Sequence, residues 1–348
     1  MKTKIKILGL GQTSMICAIM LCKRGFDVEI FDEKPLDQFK QSHFALLRFK
    51  TDKIEQETGI KLSKFKTEKA IYIGKQFDKA LVNESNIEFN NKYSFKVSGK
   101  YQSRSIGNLN SGIRYQPPEN FFELLLNKCV QLGVKFKKES INASINAIIN
   151  KFDNLNVIST IPMPKINEII FKKDINFDFQ KIYTAEFELK ENIFDVNQTI
   201  YFPEEHHLPY RISITNNKIK CEMAQKQYEK INRNNSDIQI IDNLLSTFCD
   251  AFGVNFDFIR TCFLNFDFKN TIKEQKFGKI SPIDEHTRQT IIYQLTKQYN
   301  IYSLGRFSCW RNILLDDVVD DVKVIEKLIS LKNFSESYES SKSIVKNF

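Results

Sequence analysis

Lys4-Ile-Lys-Ile-Leu-Gly-Leu-Gly-Gln-Thr-Ser14, an apolar run to Lys23, a break at Gly25 and then Asp27-Val-Glu-Ile-Phe-Asp32 form the stretch on which the reading of this chain turns. The first five residues have strand character, Met15 to Lys23 read as a helix, and the second run returns as a strand that ends in an acid. Strand, glycine turn, helix and acid-tipped strand make a dinucleotide-binding unit. Gly9 permits the tight turn, and Gly11 lets backbone amides approach a pyrophosphate. Gln12, Thr13 and Ser14 open the helix, whose N-terminus offers unpaired N–H groups and a positive dipole end to that anion. Asp32, with Glu33 behind it, stands where a ribose hydroxyl needs an acceptor. Ser14 occupies the place of the usual third glycine, so some loss of helix–strand packing is expected.

Working outward, Arg114-Tyr-Gln-Pro-Pro-Glu119 leads into an amphipathic helix from Asn120 to a glycine cap at Gly133, followed by a strand at Val134-Lys-Phe136. Asn156-Val-Ile-Ser-Thr-Ile-Pro-Met-Pro164 reads as a buried strand ending in small hydroxyls. Between these pieces lie alternating patterns of another kind, such as Lys69–Ile73, Tyr183–Leu189 and Tyr210–Thr215, with a helix over 234–252. The expected fold is α/β: a Rossmann-like parallel sheet flanked by helices, with an inserted domain of mixed sheet and helices. The first domain is assigned to residues 1–45, 106–165 and 269–332, the second to 46–105 and 166–268, and a Ser- and Lys-rich tail to 333–348.

Composition narrows the class. With 42% apolar and 27% charged residues over 348 positions, the chain is an ordinary globular sequence of two-lobe size, which excludes a disordered tail or a disulfide scaffold. No apolar run reaches the roughly 18–20 residues a membrane span needs, and the basic start lacks the apolar core of a leader; a cytoplasmic protein is expected. Seven scattered cysteines, none spaced as CxxC and none near a histidine, read as free thiols and give no support to a metal site. The net charge of +9 admits an anionic substrate or a nucleic acid, although no block of like charges appears.

The last informative stretch is Ile301-Tyr-Ser-Leu-Gly-Arg-Phe-Ser-Cys-Trp-Arg-Asn-Ile-Leu-Leu-Asp-Asp317, a strand, a glycine turn with a following arginine, and an acidic helix start. Together with Gly9–Asp32, Thr199–Glu204, Pro209–Ser213 and Phe277–Pro282, it resembles the FAD-dependent superfamily that contains amine oxidases and UDP-galactopyranose mutases, the eukaryotic type of mutase above all. The helix–strand pairs in the middle of the chain likewise resemble glutathione-reductase-like flavoproteins.

That resemblance implies a non-covalently held FAD, with Gly9, Gly11 and Ser14 around its pyrophosphate and Asp32 on its ribose. Gly305 and Arg306 would lie by the flavin, where a cation steadies a reduced, anionic ring; Trp310, Asn312 and Ile313 belong to the same segment. Arg211 matches the mutase arginine that grips a nucleotide-sugar diphosphate, a task suited to a planar fork; a surface arginine on an edge strand is the alternative. Lys279 and Asn312 stand where the mutase pattern has tyrosines. The glycine-rich flavin loop is replaced by Gln41-Ser-His-Phe-Ala-Leu-Leu-Arg48, which makes His43 a candidate catalytic group and Arg48 a candidate anion clamp. The expected function is an FAD-dependent oxidoreductase acting on a small anionic, nucleotide-linked substrate other than UDP-galactose. A mutase-like isomerase using reduced flavin and an FAD-holding nucleic-acid-associated protein are the alternatives. NADPH or NADH would enter only as a transient reductant, because no second glycine fingerprint exists.

Overall fold

A computed structural model describes residues 2–36, 48–74, 80–101, 105–149, 156–194, 196–263 and 271–345. From the N-terminus the elements run β1 (Lys4–Leu8), α1 (Gln12–Lys23), β2 (Asp27–Asp32), α2 (Lys53–Thr58), β3 (Ser63–Ile73), β4 (Ala80–Val82), α3 (Ile87–Ser98) and β5 (Gly112–Gln116). Next come α4 (Phe121–Gln131), β6 (Lys135–Lys138), α5 (Ile141–Ile149), β7 (Asn156–Ser159), α6 (Met163–Ile166), β8 (Phe179–Glu188), β9 (Gln198–Tyr201), β10 (Arg211–Thr215) and β11 (Lys218–Ala224). The chain closes with α7 (Gln225–Asn232), α8 (Asp237–Phe252), α9 (Phe256–Cys262), β12 (Ile272–Ile280), α10 (Glu285–Tyr299), β13 (Ile301–Ser303) and α11 (Asp317–Val345).

The first lobe is a five-stranded parallel sheet in the order β13-β7-β1-β2-β6. Its central strand is buried on both faces, as parallel sheets with helices on either side require. Helix α1 explains the apolar run after the glycine turn: all eight residues from Ser14 to Leu21 are buried, because α2, α4 and α11 wrap the side of the helix that the sheet does not cover. Gly25, at φ +90°, releases the chain from α1 into β2.

The second lobe is a sheet of eight strands in the order β12-β8-β11-β10-β9-β3-β4, with β5 paired to the first half of β3. Its pairs are antiparallel except β3 with β9. One face, carrying Ile200, Ile212, Ile214, Ile219, Cys221 and Met223, packs on the apolar stripe of α8. That helix is set by a capping box in which Ser236 N donates to Gln239 Oε1 at 2.8 Å.

Three boundaries differ from the sequence expectation. β5 and β12 fall in ranges assigned to the dinucleotide lobe, yet both pair into the second sheet. These pairings join strands far apart in sequence, which local pattern does not register. Helix α11 also runs on to Val345, where composition had suggested a tail from residue 333. No described helix is long and apolar enough to cross a membrane.

Candidate functional site

The strand order reverses beside β1: β2 and β6 lie on one side of it, β7 and β13 on the other. Open α/β sheets bind ligands in the crevice beyond the carboxyl ends of the strands at such a switch point. Gly9 sits there at φ +93°, and a Cβ on it would come within 2.6 Å of Thr160 Oγ1, just past the end of β7. Thr160 is itself fixed by donating to Leu8 O at 2.9 Å. Gly11, extended at φ −160°, caps α1, and a Cβ there would meet nothing within 4 Å. The space in front of the helix N-terminus is therefore open on the Gly11 side and closed on the Gly9 side.

Ser14, the departure from the glycine pattern, is fully buried and serves as an internal cap. Its Oγ accepts from Gly11 N at 2.7 Å and donates to Gly11 O at 2.8 Å. The hydroxyl thus satisfies one of the amides that a helix start leaves without an intrahelical partner. At the end of β2, Asp32 accepts from Leu10 N at 2.7 Å and from Lys34 N at 3.0 Å, one bond to each carboxylate oxygen. Each oxygen keeps a lone pair for a further donor. Asp32 borders a cavity of about 180 Å³ walled by Leu10, Leu36, Phe136 and Lys138 among others. Glu33 turns away from this cavity and accepts from Ile141 N at 3.3 Å, at the start of α5.

The C-terminal signature reaches the same crevice. Gly305, at φ +91°, lies so close to Thr13 that a Cβ would stand 2.9 Å from its Cγ2. Leu304 N donates to Ser159 O at 2.9 Å, which holds this turn against the end of β7. Arg306 bonds Asn312 Oδ1 at 3.2 Å and stacks over Phe307. Neither Asp316 nor Asp317 pairs with it: Asp316 accepts from Lys50 N and Thr51 N, both at 3.0 Å, and Asp317 from Leu314 N. Trp310, assigned to the cofactor from sequence, packs in the core against Phe177 and Phe277 and donates Nε1–H to Ser281 O at 2.9 Å. Ile313 packs against the core of the first lobe. His43 lies outside the described residues.

The three predicted substrate residues come together on the second sheet. Opposite its apolar face, register places Tyr201, Arg211, Glu222 and Thr184 in one row and Thr199, Ser213, Lys220 and Glu186 in the next. Most of these polar side chains are buried, so this face is covered although it carries charge. Arg48 reaches it from the first lobe, donating to Thr199 Oγ1 at 2.6 Å, Ile214 O at 3.2 Å and Thr215 Oγ1. Among the described residues all its acceptors are neutral, its Nε has no partner and no carboxylate pairs with it. Burial, with Arg211 and Arg114 nearby, lowers its guanidinium to about 10. Lys69 is lowered in the same way, by burial and by Arg114.

Arg211 is held differently. Its Nε donates to Glu222, whose other oxygen accepts from Tyr210 Oη at 2.9 Å. Burial alone would raise the Glu222 carboxyl, but Arg211, Lys279 and Lys220 hold it well below the usual carboxylate range. Lys279 is buried with its ammonium 5.0 Å from the Tyr210 ring centroid. Sequence reading missed Glu222, although a signal existed: Asn216-Asn217 between two alternating runs marks a tight hairpin, with Asn216 at φ +54°. That turn brings residue 211 opposite 222. Lys96 was missed as well. Fully buried on α3, it donates to the carbonyls of Phe202, Glu204, His207 and Pro209 at 2.7–2.9 Å and so fixes the loop that leads into β10.

No protein-family model and no curated protein matches the chain. Solved structures do match. An oxidoreductase from Methanosarcina mazei superposes over 93% of this chain and all of its own, with a TM-score of 0.56 at 10% identity. PqsL from P. aeruginosa, as a four-substitution mutant, covers 97% of this chain and 88% of its own, with a TM-score of 0.56 at 11% identity. The flavin-dependent halogenase CmlS matches 92% of this chain and 56% of its own length, with a TM-score of 0.50 at 11% identity. The chain shares their fold. It is the α/β arrangement expected from the Gly9–Asp32 unit, a Rossmann-like parallel sheet beside a separate mixed one.

Proposed function

We propose that this protein is an FAD-dependent oxidoreductase whose substrate is a small anion held against the buried polar face of the second sheet. The observation that carries the cofactor is the switch-point crevice, open at Gly11 and continuous in chain with the cavity at Asp32. Gly11 and the first turn of α1 would hold the pyrophosphate, Asp32 the ribose, and Leu10 and Phe136 the adenine. The matching oxidoreductase and flavin-dependent halogenase support this reading at the level of fold. When bound, the flavin supplies hydride-transfer chemistry, and the protein orients the substrate and tunes the flavin's surroundings.

Arg48 supports the anionic substrate. A buried cation bonded only to neutral oxygens gains from an incoming carboxylate or phosphate, because Coulomb attraction strengthens as water is excluded. Arg211 is already engaged by Glu222, so the substrate's charge is assigned to Arg48, with Lys279 and Arg211 setting the potential of the face. This assignment takes the diphosphate-gripping role of the mutase-like reading away from Arg211. Convergence of Arg48, Arg114, Arg211 and Lys279 near one face also favours a small anion over a nucleic acid.

Visible absorption of the purified protein tests the cofactor, and a thermal-shift screen of carboxylates and phosphates on the FAD-loaded protein tests the substrate class. Flavin bands, and anion stabilisation that is lost in Arg48→Met, are expected. A protein that stays colourless after reconstitution with FAD refutes the cofactor. Anion stabilisation that persists in Arg48→Met refutes the clamp. Anaerobic addition of NADPH then reports whether a nicotinamide reduces the flavin, and air reoxidation reports whether oxygen is the acceptor.

A further inference from the structure

The loop between β9 and β10 brings Glu204, His206 and His207 together at the end of β3, away from the crevice. Glu204 Oε2 stands 3.8 Å from His206 Nε2 and 3.9 Å from His207 Nε2, and the two imidazole rings are 4.0 Å apart. The three donor atoms all lie within 4.8 Å of one another. Tetrahedral zinc with bonds of about 2.0–2.2 Å places its ligand atoms roughly 3.3–3.5 Å apart, so each carboxylate–imidazole pair closes with a shift of about half an ångström, and no pair has more than about 1.5 Å to close. One carboxylate and two imidazoles suit zinc and leave a fourth position for water.

The loop is preorganised for this. Lys96 binds the backbone carbonyls of Glu204 and His207 from inside, which fixes two of the three ligand residues before any ion arrives. Gly74 holds the ion-free cluster from the other side, its N–H donating to Glu204 Oε2 at 2.9 Å and its carbonyl accepting from His206 Nε2 at 3.1 Å; zinc on that nitrogen replaces the second contact, because a ring nitrogen that donates to a carbonyl has no lone pair for a metal. His207 is wedged against the rings of Tyr72 and Phe202. The Lys96 ammonium opposes a second cation, but Glu204 and Glu205 act on it with the opposite sign. We infer that Glu204, His206 and His207 form a zinc site within the β9–β10 loop, beside the end of β3.

The test is equilibrium dialysis of the full-length protein against zinc chloride, with metal per chain read by mass spectrometry. The parent is expected to retain one zinc, and His206→Ala or His207→Ala to weaken binding at least tenfold. Cobalt in place of zinc gives a second readout that does not depend on the variants folding. A visible ligand-field spectrum without a thiolate charge-transfer band supports the nitrogen and oxygen set. No retained zinc in the parent, retention unchanged in the variants, or a thiolate band arising from the seven cysteines would each overturn the assignment.

Discussion

Adding one methyl group at Gly9 and at Gly11 separates a glycine kept for the fold from one kept for a ligand. At Gly9 the added Cβ meets Thr160 Oγ1 at 2.6 Å with the backbone at φ +93°. The left-handed backbone costs about 1–2 kcal/mol. Displacing Thr160 from its bond to Leu8 O costs about another 1 kcal/mol, so Gly9→Ala should lose roughly 2–3 kcal/mol of stability without any ligand. At Gly11 the backbone is extended and the added Cβ meets nothing within 4 Å. A few tenths of a kcal/mol lost in capping are offset by the reduced freedom of the unfolded chain, so apoprotein stability should stay within about 0.5 kcal/mol of the parent. The methyl does, however, stand in the approach to the helix amides. Losing one charge-assisted amide–phosphate bond, about 1.5–3 kcal/mol, weakens FAD binding roughly 10- to 100-fold. Urea denaturation of the apoproteins and flavin-fluorescence titration measure the two quantities separately. If Gly11→Ala binds FAD as tightly as the parent, or is destabilised as much as Gly9→Ala, the assignment of the crevice is wrong.

Glu222→Gln should cost about 2–3 kcal/mol at pH 7 by leaving the partly buried Arg211 without its carboxylate. Because the folded carboxyl is held below its ordinary 4.5, its stabilisation is complete above that pH and lost as pH falls through the lower folded value. Parent and variant should therefore converge in urea stability below about pH 4.5, and a gap that stays constant there would contradict the pairing. Ser14→Ala removes both bonds to Gly11 and should lower the urea-derived stability by about 1–2 kcal/mol. Lys96→Met leaves four carbonyls without their ammonium in a buried loop, and calorimetry should register a loss of about 3 kcal/mol.

What the sequence discloses follows how local each interaction is. The Gly9–Asp32 unit was legible because its turn, helix and return strand are neighbours in the chain and each residue answers a local demand. The approach of Gly305 to Thr13 was not legible, since nothing local connects residues nearly three hundred positions apart and the resemblance placed Gly305 only by a flavin. Arg211 was singled out only through the resemblance, as a diphosphate grip or else a surface arginine, and its pairing depended on reading Asn216-Asn217 as a hairpin and counting outward to Glu222. Trp310 was misleading for a physical reason. A large aromatic with an N–H suits a flavin edge and a core equally well, and here Ser281 and two phenylalanines supply the core. The membership of β5 and β12 in the second sheet rests on long-range register, which composition and periodicity do not carry.

The order in which the first sheet is assembled has a consequence for how this protein is made. Asn156–Ser159 pairs on one side with β1, which leaves the ribosome early, and on the other with Ile301–Ser303, near the end of the chain. At ordinary synthesis rates the second partner emerges about 140 residues, or roughly 10–30 s, after Asn156–Ser159 itself. During that interval the growing polypeptide presents an apolar strand with one open edge, the template on which unwanted pairing begins. The second lobe is made partly before this interval, from β3 to β5, and partly within it, from β8 to β12, so neither lobe is a continuous length of chain. Yield should therefore respond to slower translation and to chaperones more strongly than equilibrium stability alone implies, and a chain cut before residue 301 should aggregate.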